Sequence, residues 1–208
     1  MKKLGLAILL LLLMVLPAEA APGEVADEDF SYNGITLGNT EEELIGAWGE
    51  IPFDKEVNNM GIRLKKCDYG EIAAFVAVST GKIVDIKLSG REYVLRDNIR
   101  YGATSYLLQH EYGETGKRML DGNTYYIYER PGNKHEHLLL QIDPDKLSLL
   151  SVEITSLPLD PDEAEEMMLD GSDIREGWET EEFILDDKDI DLSALPNTKA
   201  PELVVEGL

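Results

Sequence analysis

His135-Glu136-His137 is the densest group of chemically able side chains in the sequence. On a strand, side chains alternate between faces, so imidazoles at i and i+2 share one face and make half of a metal site. No third ligand is adjacent, and the remaining histidine, His110, falls on a helical segment. Asp187, Asp189 and Asp191 have the spacing of the first ligands of a calcium loop. Leu192, however, stands where that loop needs glycine, and Thr198 where it needs glutamate. The sequence therefore assigns no metal site and no cofactor. Weak divalent-cation association with the acidic C-terminal segment stays open through charge alone. The single cysteine, Cys67, has no neighbouring histidine or helix N-terminus to make a reactive thiolate, and reads as a small strand residue.

Catalytic motifs are missing. The sequence has no G-x-S-x-G elbow, no H-E-x-x-H pair, no phosphate-binding P-loop and no G-x-G-x-x-G turn. Carboxylates are abundant, but nothing marks two of them as an acid and base flanking one bond. No catalytic residue is assigned. The aromatic run is more suggestive of contact than of catalysis. Tyr126 and Tyr128 fall on one face of a predicted strand, with Tyr125 and Ile127 on the other. One set packs on a helix and the other is left as contact surface. Tyr125, Tyr126 and Tyr128, with Trp178 and Phe183 further on, are the candidate binding residues.

The 208 residues include 41 acidic and 19 basic side chains, a net charge of −22. That balance argues against nucleic acid as a partner, because such proteins present a basic footprint to the phosphates. It favours a protein with a basic surface. A 43% hydrophobic content is enough for a core. Lys2 and Lys3, the apolar run from Leu4 to Leu16, Pro17 and Ala18-Glu19-Ala20 follow the layout of a secretory signal peptide. The run is too short to span a bilayer, since a helix needs roughly 20 apolar residues. The expectation is an exported protein, secreted or periplasmic, with no membrane span in the mature chain. At the other end, residues 160–208 hold 17 acids and only three bases.

Two segments repeat. ITLGNTEEELIGAWG at 35–49 and IRYGATSYLLQHEYG at 99–113 share five identities, where about one is expected by chance. In each, glycine permits a tight turn, threonine caps a helix, leucine and an aromatic residue form one apolar stripe, and glycine closes. Glu43 completes a capping box with Thr40. Strands are predicted at 61–68, 72–79, 82–89 and 92–95, then at 123–130, 137–142 and 148–155. Asp160-Pro161 opens a further short helix through residue 169. The expected fold class is α+β: two tandem repeats, each a short helix followed by an antiparallel β-meander, with an acidic C-terminal tail. The boundaries are a signal peptide at 1–20, a linker at 21–34, repeats at 35–95 and 96–157, and a partly disordered tail at 158–208.

The pattern I-x-x-G-x-T-x-x-x-L-x-x-x-x-G followed by a meander resembles the repeat of β-lactamase inhibitory protein and of SmpA/OmlA-type outer-membrane assembly lipoproteins. The matching turns are Gly38-Asn39-Thr40 and Gly102-Ala103-Thr104, and the resemblance covers roughly residues 31 to 157. It implies an exported protein-binding module, inhibitor-like in layout. The inhibitor's disulfides and the lipoproteins' lipidated cysteine have no counterpart here, and no binding residue is carried over. The sequence thus reads as a non-enzymatic binding or interaction protein. A cell-envelope structural or cation-sequestering protein is the alternative, and an uncharacterised hydrolase a further one.

Overall fold

Two short helices begin in the same way. Thr40 Oγ1 accepts from the Glu43 backbone N–H, and the Glu43 carboxylate accepts from Thr40 N at 2.7 Å, so helix α1 (Glu41–Trp48) starts with two orphan donors satisfied. Thr104 does the same work for α2 (Ser105–Tyr112), accepting from Leu107 N at 3.3 Å. Before each cap stands a glycine at positive φ, Gly38 at 85° and Gly102 at 83°, a conformation other residues adopt at a cost. These turns are fastened to strands. Gly38 N donates to Ile83 O at 2.8 Å and Ile83 N to Asn39 O at 2.7 Å; Gly102 N donates to Leu149 O and Leu149 N to Ala103 O, both at 2.8 Å.

The structure, a computed structural model, describes residues 23–170. The expected signal peptide (1–20) and the tail from residue 171 onward, Trp178 and Phe183 included, lie outside the described residues. Strands β1 (Ser31–Tyr32) and β2 (Ile35–Thr36) form a small hairpin. The main sheet has β3 (Phe53–Asn59), β4 (Ile62–Asp68), β5 (Ile72–Ala77), β6 (Ile83–Leu88), β7 (Lys117–Leu120), β8 (Asn123–Arg130), β9 (Asn133–Ile142) and β10 (Leu149–Thr155). Their spatial order is β3-β4-β5-β6-β10-β9-β8-β7, antiparallel throughout.

That order corrects the expected architecture. The α+β class holds broadly, but the chain is not two tandem helix-plus-meander repeats. The last strands of the two meanders pair with one another, Val152 against Leu88 through Thr155 against Asp85, so eight strands make one continuous sheet with a second, two-stranded sheet beside it. Patterns within a segment carry no information about which strands pair between segments. Two strands were also unforeseen. Phe53–Asn59 and Lys117–Leu120 are the sheet edges, mostly exposed, and lack the alternation that marks a half-buried strand. The expected strand at 92–95 is instead a loop with one isolated bridge, Val94 to Arg100.

The helices cover one face. Leu44 and Leu108 are fully buried there against Ile86, Leu88, Ile154 and Leu140. The N-terminal segment closes one side of this core: Phe30 is buried, and the Arg96 guanidinium lies 3.1 Å from Asp29 and 4.4 Å above the Tyr112 ring centre. On the opposite face a smaller cluster forms from Ile62, Leu64, Ala77, Val84 and Leu157. Helix α3 (Pro161–Asp170) then follows, capped by Asp160 Oδ1, which accepts from Glu163 N at 2.9 Å, and anchored by the buried Met167.

Candidate functional site

The two central strands carry charge on the face the helices leave open, and each reaches that arrangement through a bulge. Ile83 packs in the helix-side core, so strict alternation would turn Asp85 and Lys87 the same way. Register slips between Phe75↔Asp85 and Val76↔Ile83, leaving Val84 as an extra residue. Beyond it, Ile86 and Leu88 face the helices while Asp85 and Lys87 face away. Strand β10 repeats the device. Leu149 pairs with Ile142 and Ser151 with Gln141, so Leu150 is extra, Val152 and Ile154 join the helix-side core, and Glu153 and Thr155 share the open face with Asp85 and Lys87.

These residues floor a cleft of about 380 Å³. Val57, Leu64, Phe75 and Leu157 supply apolar wall, and Tyr125 enters from β8. The β3–β4 turn with Met60 and the β7–β8 turn with Leu120 and Asp121 line the same cleft, although they belong to strands at opposite edges of the sheet. The sheet therefore curls around it.

Within the cleft, Lys87 Nζ lies 3.1 Å from Glu153 Oε1, 3.8 Å from Asp85 Oδ2 and 5.5 Å from the Phe75 ring centre. Asp85 has a side chain only 1% exposed, and no protein donor reaches its Oδ1 among the described residues. Burial raises the Asp85 pKa well above the ordinary value, and the neighbouring Glu153 carboxylate adds to it. Burial works against the Lys87 charge, but Asp85 and Glu153 outweigh it and hold its pKa above normal. Tyr125 is likewise raised, first by burial and then by Glu153. The floor thus sets one ammonium between two carboxyl groups, one of them almost fully buried.

Of the candidates read from sequence, Tyr125 lines this cleft, whereas Tyr126 and Tyr128 are buried on the helix side, where the Tyr128 ring packs 5.7 Å from that of Tyr112. Trp178 and Phe183 lie outside the described residues. His135 and His137 do share a strand, β9; His137 is buried, with Nε2 3.4 Å from Glu163 of α3. No cluster of three metal-ligating side chains occurs among the described residues. Cys67 is fully buried in β4, and burial pushes its thiol up to about 11. Sequence reasoning passed over Asp85, Lys87 and Glu153. The signal was present: charged residues at i and i+2 interrupt the apolar strand Ile83–Leu88, and Glu153 interrupts its counterpart.

No family model matches the chain, and no curated protein matches it by sequence. Three solved structures align with part of the chain, each at a TM-score below 0.5. An extracellular protein containing an SCP domain from Bacillus anthracis is 16% identical, with a TM-score of 0.43 over 74% of this chain and 59% of its own. A cysteine-rich secretory protein from Staphylococcus aureus is 13% identical, with a TM-score of 0.44 over 66% of this chain and 50% of its own. A DUF4309 family protein from Bacillus subtilis is 17% identical, with a TM-score of 0.41 over 59% of this chain and 82% of its own. The chain thus spans little more than half the length of the first two. Among the described residues, no helix is long and apolar enough to cross a membrane.

Proposed function

We propose that this chain is an exported, non-enzymatic binding protein that holds a protein partner on the open face of its sheet, over the cleft floored by Asp85, Lys87 and Glu153. The observation that carries the reading is a cleft with apolar walls and a charged floor, open at its rim, on the sheet face opposite the two covering helices. Concave sites that combine apolar walls with a few convergent polar groups are the usual form of a binding site. A net charge of −22 draws a basic partner. The resemblance of the turn–helix segments to an inhibitory protein module is in keeping with this use.

Export rests on the residue 1–20 pattern, and N-terminal sequencing of material outside the cytoplasm should begin at Ala21. Intact chain recovered only from cytosol would overturn it. For binding, a photo-crosslinking residue at Met60, 42% exposed on the cleft rim, is compared with one at Tyr106, 80% exposed on α2. In the producing cells, a discrete protein adduct should form from position 60 and not from 106. Equal labelling from both, or none from either, sinks the reading.

A further inference from the structure

Two hairpin turns line the cleft, and one of them breaks the rule of its type. The β3–β4 turn (Met60-Gly61) and the β7–β8 turn (Asp121-Gly122) each join their strands through two residues, with Asn59 paired to Ile62 and Leu120 to Asn123. Both residues of each turn stand at positive φ, 47° and 87° in the first, 48° and 79° in the second. That backbone suits a tight hairpin but disfavours most side chains, so asparagine, aspartate or glycine normally fills both places. The β1–β2 hairpin complies with Asn33-Gly34, at 47° and 82°, and Asp121 complies too. Met60 does not. A bulky side chain held in the left-handed region costs stability, and such strain gathers at ligand clamps. Met60 is 42% exposed and lines the cleft.

Walls and floor restrict the guest. Val57, Leu64, Phe75 and Leu157 offer hydrocarbon and a ring. On the floor, Lys87 is engaged by Glu153 and Asp85, and the Asp85 side chain is closed to solvent at 1% exposure. Thr155 Oγ1 accepts from Leu157 N at 3.0 Å. A polar guest would have to break these contacts, whereas an apolar one leaves them in place. The second turn adds charge. Asp121 is exposed, and its carboxylate pairs with no cation among the described residues.

We infer that the cleft takes one bulky apolar side chain, leucine or phenylalanine, of the partner protein, next to a lysine or arginine whose charge meets Asp121. The inference rests on the binding-module reading and adds its recognition element. Met60 lays a flexible thioether along the apolar guest, a contact that the short polar residues usual in such a turn cannot make. Its strained backbone is then accounted for by the guest it holds. Asp121, from the opposite edge of the sheet, meets the neighbouring cation, in keeping with a chain of net charge −22. The two turns divide the work as interfaces commonly do: a buried apolar anchor supplies affinity, and a rim charge selects the partner.

The test titrates the full chain with acetyl-Gly-X-Lys amides in which X is leucine, phenylalanine or alanine, with acetyl-Gly-Leu-Glu amide, and with free hexylamine. Binding is followed by amide chemical shifts of β4, β8 and β10. The leucine or phenylalanine peptide should bind at least tenfold tighter than the alanine peptide, and exchanging lysine for glutamate should weaken binding at least threefold. Asp121→Asn keeps a residue that accepts positive φ, so it should fold as wild type and erase the lysine–glutamate difference. Met60→Asn installs the residue that the β1–β2 turn uses. It should melt at or above the wild-type temperature and yet bind the leucine peptide at least threefold more weakly. Equal binding of the alanine peptide overturns the inference, and so does unchanged discrimination in D121N. An M60N variant that binds as wild type, or that melts lower, marks Met60 as ordinary wall packing and overturns its role. Hexylamine binding tenfold tighter than the leucine peptide overturns the assignment to a protein side chain. If no peptide binds while a crosslink from position 60 still forms, the anchor falls and the binding module stands; if both fail, both fall.

Discussion

Lys87 and Glu153 stand directly opposite one another across the β6–β10 pair, with Nζ 3.1 Å from Oε1. Each belongs to a strand whose phase was shifted by one residue upstream, at Val84 and at Leu150. The bulges turn the charged set away from the helix-side core and toward one another. Lys87 stands between Asp85 and Glu153, and without it two carboxyl groups would face each other in a site with little water.

Lys87→Met should therefore destabilise the fold. Breaking a fully buried pair costs about 3–5 kcal/mol. The Lys87 side chain is 45% exposed and solvent screens part of its interaction, so a loss of about 1–2 kcal/mol is expected in urea unfolding. Unchanged stability would mean that the ammonium contributes nothing to holding the floor together.

Asp85 makes stability depend on pH in a direction opposite to most carboxylates. Its pKa in the folded state is raised above the ordinary 3.8. The protonated form is thus favoured by folding, the contribution is fully present below 3.8, and it is lost as pH rises through the folded value. Lys87, raised from 10.5, loses its own contribution only further into alkali. Replacing Asp85 with Asn keeps the shape and removes the ionisation, so D85N should gain on wild type as pH increases from acid toward alkali. Parallel melting-temperature curves for the two proteins across that range would contradict the assignment.

His137 acts at the acid end. Burial, the leading cause, lowers its pKa from 6.5. Unfolding frees the ring to take a proton, so stability falls as pH drops below 6.5 and levels off below the folded value. Glu163, 3.4 Å away, is raised from 4.5, again chiefly by burial, and the cost of ionising it eases as pH falls. The two effects oppose each other. His137→Gln should abolish the loss of stability just below 6.5, read from denaturation midpoints on either side of that value. A midpoint drop that persists in the variant would assign it to other groups.

These side chains show what a sequence exposes and what it hides. Local chemistry was legible: the glycine turns, Thr40 and Thr104 at the helix starts, the Glu43 box, Asp160 ahead of Pro161, and Leu44 and Leu108 in the core all follow from residue type and spacing. Pairing was not. The β6–β10 contact that merges the strands into one sheet joins residues more than sixty apart, and no periodicity encodes it. Bulges hide even more effectively. Alternation counted from Ile83 places Asp85 with the core, and only the register shows Val84 as the extra residue. Tyr125, Tyr126 and Tyr128 could be split into two faces from sequence, yet which face met the helices needed the fold.

Helix α3 supplies the last test, because its attachment decides where the folded body ends. One acidic helix next to an acidic chain should repel it, and the contacts that oppose this are few. Asp160 pairs with Arg118 and Glu166 with Lys134, both with exposed partners, so each is worth less than about 1 kcal/mol. Met167 differs. It is 3% exposed and lines a second cleft with Leu37, Ile83 and Val84, which ties α3 to the start of β6. Removing a buried methionine to alanine costs about 2–5 kcal/mol where the surroundings stay fixed. A short helix whose buried apolar contact is chiefly one side chain, beside the His137–Glu163 pair, can instead detach, which caps the loss at its docking energy. Met167→Ala should therefore cost about 2 kcal/mol, at the low end of that range, with increased hydrogen exchange confined to α3. Leu108→Ala, in the centre of the helix-side core, should cost more and loosen β6 and β10 together, since α2 cannot leave without uncovering both. Equal losses for the two variants, or exchange in α3 untouched by M167A, would show that α3 is held by something other than its methionine.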